Sequence, residues 1–285
     1  MKNHCAICAV VCCMCILIAG CSMQNHRDHT AGSSDNTAGK NISVTYSAYA
    51  NTFEAEYKIE HGVLFGRGKN SLGLFGENVS DTFEEWTQIT DAKDIIHVEA
   101  VNGTIIFLTE TGCVYVFGNS EGLFNENNSS AGLSIISSPQ LIMEDCVHAS
   151  LGIKFLILLK SDNTLWFLGE SKNGQSTLVE NGFTIPIQIA QNVLAIKAFG
   201  YTSAWIDGSY SLYMCGDNSY GQIGNGNQGS GFPTLYEDIV SDPYLVLNNC
   251  IEISTIDEKS IVAKTKDGSI YAWGGKYGTI PKQIK

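Results

Sequence analysis

The sequence predicts an all-β fold, a propeller of about five blades, and three observations carry that reading. Five strands that end in glycine recur along the chain, at Gly68, Gly118, Gly169, Gly216 and Gly274, with steps of 50, 51, 47 and 58 residues. Each is preceded by a second β-rich run and a tight turn, and no stretch carries helical periodicity. A period near 50 with several short strands per unit marks a repeat architecture of antiparallel blades.

The repeated unit is legible residue by residue. The glycine-ended strand reads Gly62-Val-Leu-Phe-Gly-Arg-Gly68, Gly112-Cys-Val-Tyr-Val-Phe-Gly118, Asn163-Thr-Leu-Trp-Phe-Leu-Gly169, Tyr210-Ser-Leu-Tyr-Met-Cys-Gly216 and Gly268-Ser-Ile-Tyr-Ala-Trp-Gly274. Upstream lie runs such as Thr104–Thr109, Phe155–Leu159 and Ser260–Ala263, joined to it through Thr-Gly or Asp-Gly turns that favour hairpins. A third short stretch comes earlier still: Ile95–Val98, Cys146–Ala149, Val193–Ile196 and Cys250–Ile253. After the glycine come a second glycine, a variable loop, and an ending such as Pro139-Gln-Leu-Ile142 or Pro186-Ile-Gln-Ile189. The long apolar runs fit strands covered on both faces by neighbouring blades.

These residues resemble the repeat of the regulator-of-chromosome-condensation (RCC1) family. The nearest match is Leu212-Tyr-Met-Cys-Gly-Asp-Asn-Ser-Tyr-Gly-Gln-Ile-Gly224, followed by Ile270–Gly274 and Gly68-Lys-Asn-Ser-Leu-Gly-Leu-Phe-Gly76. The resemblance covers residues 41–285 and implies an RCC1-like propeller. Members commonly carry seven repeats, whereas this chain shows five. A closed five-bladed ring is the favoured expectation, with an open arc or incomplete ring as the alternative, because open blade faces invite aggregation.

The beginning of the chain supplies an address. Residues 5–20 are apolar and small after Lys2 and end in Leu17-Ile-Ala-Gly-Cys21, which looks like a bacterial lipobox. Residues 1–20 are therefore expected to be a lipoprotein signal peptide, with Cys21 the acylated (palmitate-bearing) residue. Each buried methylene of such an anchor adds roughly 0.8 kcal/mol. Residues 21–40 are polar and small, a flexible tether that leaves 41–285 as the propeller. The expected location is the cell membrane, lipid-anchored and facing away from the cytoplasm.

Ten cysteines do not make a disulfide framework. Five leave with the signal peptide and Cys21 takes the lipid. Of the remaining four, Cys146 and Cys250 share a repeat position in units three and five, and Cys113 and Cys215 fall in units two and four; blades that are not adjacent hold such pairs too far apart to bridge. All four read as small apolar core residues, and no Cys-x-x-Cys spacing suggests a metal site.

Charge narrows the partners. Without residues 1–20 the chain carries 16 Lys and Arg against 29 Asp and Glu, a formal −13. Such a surface repels phosphate backbones, so no nucleic-acid partner is expected, and guanine-nucleotide exchange is not carried over from the resembled family. No phosphate-binding loop, nucleophile elbow or zinc-protease motif occurs, so neither catalytic residues nor a cofactor are expected. His97 and His148 occupy equivalent positions of adjacent units, held by Ala195 and Glu252 in later ones, and read as a variable strand position.

Binding fits better. Variable loops on rigid blades concentrate function. The segment Asn225–Asn249 carries Phe232, Tyr236, Glu237 and Tyr244, and the loop of the first unit carries Phe83, Glu84 and Trp86. Aromatics flanked by acids suit a protein interface. Secreted proteins of the resembled family include an inhibitor that caps a β-lactamase with aromatic and acidic loop residues. The expectation is a non-catalytic protein-binding or scaffold module for an extracytoplasmic protein or cell-wall component. The alternative is an envelope enzyme or carbohydrate-binding protein with its site at the propeller mouth.

Overall fold

The computed structural model describes residues 46–52, 54–70, 82–124, 135–178, 182–229, 231 and 238–284, all within the compact unit Asn41–Lys285. They form five antiparallel four-stranded sheets, each a simple meander of consecutive strands. Blade 1 contains β1 (Tyr49–Asn51), β2 (Ala55–Glu60), β3 (Val63–Lys69) and β4 (Thr82–Gln88). Blade 2 contains β5 (Ile95–Val101), β6 (Thr104–Thr109), β7 (Val114–Asn119) and β8 (Ile135–Met143). Blade 3 contains β9 (Cys146–Gly152), β10 (Phe155–Lys160), β11 (Leu165–Glu170) and β12 (Gly182–Ala190). Blade 4 contains β13 (Val193–Phe199), β14 (Thr202–Asp207), β15 (Leu212–Asp217) and β16 (Ile239–Leu247). Blade 5 contains β17 (Cys250–Asp257), β18 (Ser260–Thr265), β19 (Ile270–Trp273) and β20 (Lys282–Gln283).

The repeated glycine has a steric cause. At Gly169, with φ +117°, an added Cβ would lie 2.4 Å from the carbonyl oxygen of Lys154, in the turn that leads into the facing strand. Gly68, Gly216 and Gly274 are built alike, with a Cβ 2.3, 2.3 and 2.2 Å from the carbonyls of Glu54, Tyr201 and Lys259. Positive φ and so close a backbone leave glycine as the residue that fits. In blades 1 to 4 the ladder to the outermost strand also breaks register beside that glycine. The outermost strands β8, β12 and β16 each hold a proline, Pro139, Pro186 and Pro243. An outer edge tolerates the missing N–H and gains protection against strand addition.

Four apolar clusters hold the blades together, one at each successive seam. Ala55, Tyr57 and Leu64 of blade 1 meet Ile105, Phe107 and Phe117 of blade 2; Ile106 and Leu108 meet Leu156 and Leu158 of blade 3. Phe155, Ile157 and Phe167 then meet Ile196 and Trp205 of blade 4, and Ala204, Ile206 and Met214 meet Ile261, Ala263 and Trp273 of blade 5. Alternate residues of each middle strand thus face the preceding and the following blade. Hydrogen bonds reinforce the seams: Trp273 Nε1–H donates to the carbonyl of Gln222, in the loop after β15, at 2.9 Å.

The arrangement ends without a fifth seam of this kind: among the described residues no apolar cluster joins blade 5 to blade 1. Val262 and Lys264, which point away from blade 4, are half-buried, whereas the equivalent Ile106, Leu108, Ile157 and Leu159 are fully covered. Five blades are present as the sequence predicts, and among the described residues the faces of blade 5 and blade 1 that point away from their sequence neighbours are not joined by an apolar cluster.

Candidate functional site

Two regions gather functional groups. The first is the central channel, lined by the innermost strands β1, β5, β9, β13 and β17. Glu99 on β5, Ser150 on β9 and Lys197 on β13 occupy one repeat position on three successive blades and converge there. The Glu99 Oε1 accepts a hydrogen bond from Lys197 Nζ at 2.6 Å, and Oε2 accepts from the Leu151 N–H at 2.6 Å. Ser150 Oγ–H donates to Oε2 at 3.2 Å and accepts from the Ala198 N–H at 3.0 Å. Burial pushes the Glu99 carboxyl up, but Lys197, His97 and the Leu151 N–H together outweigh it and hold it below its ordinary value.

The two equivalent histidines do meet. Their ring centroids are 5.1 Å apart, and Tyr46 sets its ring edgewise to both, at 6.1 and 5.9 Å. His97 Nδ1 accepts the Ser47 N–H at 2.8 Å, so the proton of the neutral ring sits on Nε2, which donates to the Ala149 carbonyl at 3.1 Å. Burial lowers its pKa; the Glu99 charge opposes this and Lys197 adds to it. Both ring nitrogens of His97 are therefore committed to backbone. Two cavities flank the cluster. One of about 210 Å³ is bordered by Ser47, His97, Glu99, His148, Lys197 and Ser254, and one of about 410 Å³ by Tyr49, Asn51, Lys197, Asp257 and Glu258. No group of three or more metal-ligating side chains occurs among the described residues.

The second region is the face of blade 1 that points away from blade 2. On blade 2 the positions facing the preceding blade are Ile105, Phe107 and Phe117, in the apolar core, and Tyr115, half-buried against it. Strand register places Glu56, Lys58, Phe65 and Arg67 at those positions on blade 1. Arg67 Nε–H donates to Glu56 Oε2 at 2.7 Å, and Lys58 pairs with Glu60 at 3.1 Å. Both cations lie over the Trp86 ring, Lys58 Nζ at 4.7 Å and Arg67 Cζ at 4.6 Å from its centroid. The Arg67 and Glu56 side chains are 45% and 39% exposed. This face of blade 1 is a charged and aromatic surface, the kind of outer face with which repeat arrays terminate.

The sequence-predicted binding residues fall differently from expectation. Phe83, Glu84 and Trp86 are not on a loop; they lie within strand β4. Tyr244 is likewise in a strand, the outer β16, where it is 41% exposed. The reason is that both segments form a blade's outer edge strand, largely exposed, where no continuous buried apolar run is required. Phe83 and Glu84 border a cavity of about 490 Å³ together with Glu54, Glu56 and Arg67. Trp86 and Tyr244 belong to different blades, so the predicted set is not one cluster. Phe232, Tyr236, Glu237 and Cys21 lie outside the described residues. The charged channel group was missed, yet the repeat alignment holds a signal for it: two residues after the histidine position stand Glu99, Ser150, Lys197 and Ser254. Cys113 is half-buried, and Cys146, Cys215 and Cys250 are buried.

Comparison with known proteins agrees with the architecture. No protein-family profile matches the chain. Among solved structures it resembles Prp20p from Saccharomyces cerevisiae, studied for its binding to Gsp1p and histones, at 14% identity and a TM-score of 0.68 over 83% of this chain and 64% of that one. Prp20 as yeast RCC1 bound to Kap60 gives 15% identity and 0.66, over 83% and 63%. Human WBSCR16 gives 18% and 0.63, over 81% and 65%. The fold is thus an RCC1-like β-propeller, and the chain spans a little under two thirds of the length of each of these neighbours.

Proposed function

We propose that this chain is a membrane-anchored lipoprotein, acylated at Cys21, whose propeller is a non-catalytic protein-binding module. Its docking surface is the outer face of blade 1. The observation that carries the reading is the substitution of charge and tryptophan for an apolar face: Lys58 and Arg67 lie over the Trp86 ring, and Arg67 borders a cavity with Glu54, Glu56, Phe83 and Glu84. Tryptophan and arginine dominate interface energetics, and here ion pairs fix their orientation before any partner arrives. The solved neighbours that are described as binding proteins, Gsp1p, histones and Kap60, support protein binding as the general use of the fold.

In the channel, mutual neutralisation of Glu99 and Lys197 and the engagement of both His97 nitrogens support a structural rather than a catalytic role. A second reading, a small polar ligand or glycan at the propeller mouth, draws on the two channel cavities and their convergent polar groups. The experiment is a pull-down from envelope and secreted fractions with the wild-type chain beside Trp86→Ala and Arg67→Ala. A saturable protein captured by wild type and lost by both variants supports the docking face. Equal capture by all three discards it, and glycan binding abolished by Lys197→Met supports the channel instead. Membrane fractionation of Cys21→Ser tests the anchor separately: release to the soluble fraction is expected.

A further inference from the structure

Each of the first four blades passes one backbone hydrogen bond from its hairpin turn to the first strand of the next. The carbonyls of Gly62, Gly112, Asn163 and Tyr210 accept from the N–H groups of Ile95, Cys146, Val193 and Cys250 at 3.0, 2.9, 2.9 and 2.8 Å. At the seam between blades 2 and 3 this bond brings two cysteines together, because Cys113 directly follows Gly112. The covalent path on either side of the bond is short and caps the Cα separation of Cys113 and Cys146 at about 7 Å, which takes in the range of about 4.4 to 6.8 Å over which disulfides form. The turn is pressed tightly onto the strand, as an added Cβ on Gly112 would lie 2.9 Å from the Cys146 carbonyl oxygen.

We propose that Cys113 and Cys146 are a disulfide site, a covalent staple between blades 2 and 3 that closes once the chain is in an oxidising compartment; the compartment rests on the lipoprotein reading above. Sequence reasoning missed the pair because it compared cysteines of alternate units. Cys113 and Cys146 stand at different repeat positions of adjacent units, and the blade-to-blade step makes them neighbours. The other seams lack it: Ser211, the counterpart of Cys113, faces Cys250, and its hydroxyl donates to Asn248 Oδ1 at 3.1 Å.

The two thiols differ in access. Cys113 is half-buried at the turn, whereas Cys146 is buried in the seam core. Burial pushes the Cys146 thiol up to about 12; Lys160 opposes this, and Asp145 and the nearby Cys113 add to it. Oxidation therefore starts at Cys113. Its thiolate attacks the disulfide of a glutathione or protein oxidant, forming a mixed disulfide and releasing one thiol. The Cys146 sulfur, giving up its proton, then attacks the Cys113 sulfur and releases the second thiol. Two protons and two electrons leave the cysteines, and the oxidant's disulfide is reduced to two thiols.

The test uses the full lipidated chain in detergent, incubated natively with oxidised glutathione, alkylated after denaturation and mapped by mass spectrometry. A Cys113–Cys146 cross-linked peptide, lost in Cys113→Ser and in Cys146→Ser, with a Tm raised by several degrees over the reduced protein, is the expected result. Alkylation of both cysteines, or a glutathione adduct that persists on Cys113, overturns the site. The same mapping on protein taken from cells under acid quench separates the two readings. Pairing in vitro but free thiols in cells overturns the oxidising location while leaving the geometry standing.

Discussion

Lys197 on blade 4 reaches across the channel to Glu99 on blade 2, Nζ to Oε1 at 2.6 Å, past Ser150 of the blade between them. Three inner strands are thereby tied by one ion pair whose members are only 22% and 13% exposed. Breaking such a pair leaves a charge that has lost both water and partner, which costs more than the pair itself contributes. Glu99→Gln or Lys197→Met alone should cost about 2–4 kcal/mol. The double variant should cost clearly less than the sum, because neither charge is then stranded. Urea unfolding of the four proteins checks this, and additive losses would show that the two side chains act independently.

The same cluster sets an acid limit. The His97 pKa is depressed from 6.5 in the folded state, so below pH 6.5 the unfolded chain takes a proton that the folded chain refuses, and stability falls with falling pH. The Glu99 pKa is also depressed, from 4.5. Its contribution is complete above that value and is lost as pH drops through the folded pKa. Stability should therefore decline in two stages, the first starting near pH 6.5 where surface carboxylates are silent. His97→Gln, which keeps a donor and an acceptor, should flatten that first stage in urea midpoints measured from pH 7.5 to 5. An unchanged slope would assign it to another group.

A comparison of two glycines separates backbone conformation from crowding. Gly169 and Gly268 both have positive φ, at +117° and +87°, but a Cβ on Gly169 would strike the Lys154 carbonyl oxygen while one on Gly268 meets nothing within 4 Å. Gly268→Ala should cost about 1 kcal/mol from conformation alone. Gly169→Ala should cost roughly 2 kcal/mol more, since the facing strand must move. Equal losses in denaturant titrations would mean that the blade absorbs the clash.

These glycines also explain how much of the fold was legible. Gly68, Gly118, Gly169, Gly216 and Gly274 all adopt positive φ, and a backbone requirement that admits one residue type leaves a mark at every repeat. The inner strands were legible because burial on both faces demands apolar runs such as Thr104–Thr109. The outer strands were not: Thr82-Phe-Glu-Glu-Trp-Thr-Gln88 is paired to β3 yet largely exposed, so nothing in its composition separates it from a loop. Contacts between blades were the least visible, because Glu99 and Lys197 are 98 residues apart. They emerge when equivalent positions are read as a ring around the channel axis.

The charged end face of blade 1 should act as a barrier to stacking. A blade face that is apolar at Glu56, Lys58, Phe65 and Arg67, as it is at Ile105, Phe107, Tyr115 and Phe117, would match the partly uncovered side of blade 5 on a second copy, where Val262, Lys264 and Ile270 are half-buried. That contact is head-to-tail, and a head-to-tail contact that fails to close produces open chains. Lys58→Leu with Arg67→Leu removes both cations from the Trp86 ring and strands Glu56, so Glu56→Leu is added to leave no unpaired acid. The triple variant should move from monomer to concentration-dependent oligomers in sedimentation velocity, with sheet content unchanged by circular dichroism. Adding Val262→Lys on the opposite face should restore the monomer. A triple variant that stays monomeric at high concentration would show that the polar residues are not what keeps these end faces apart.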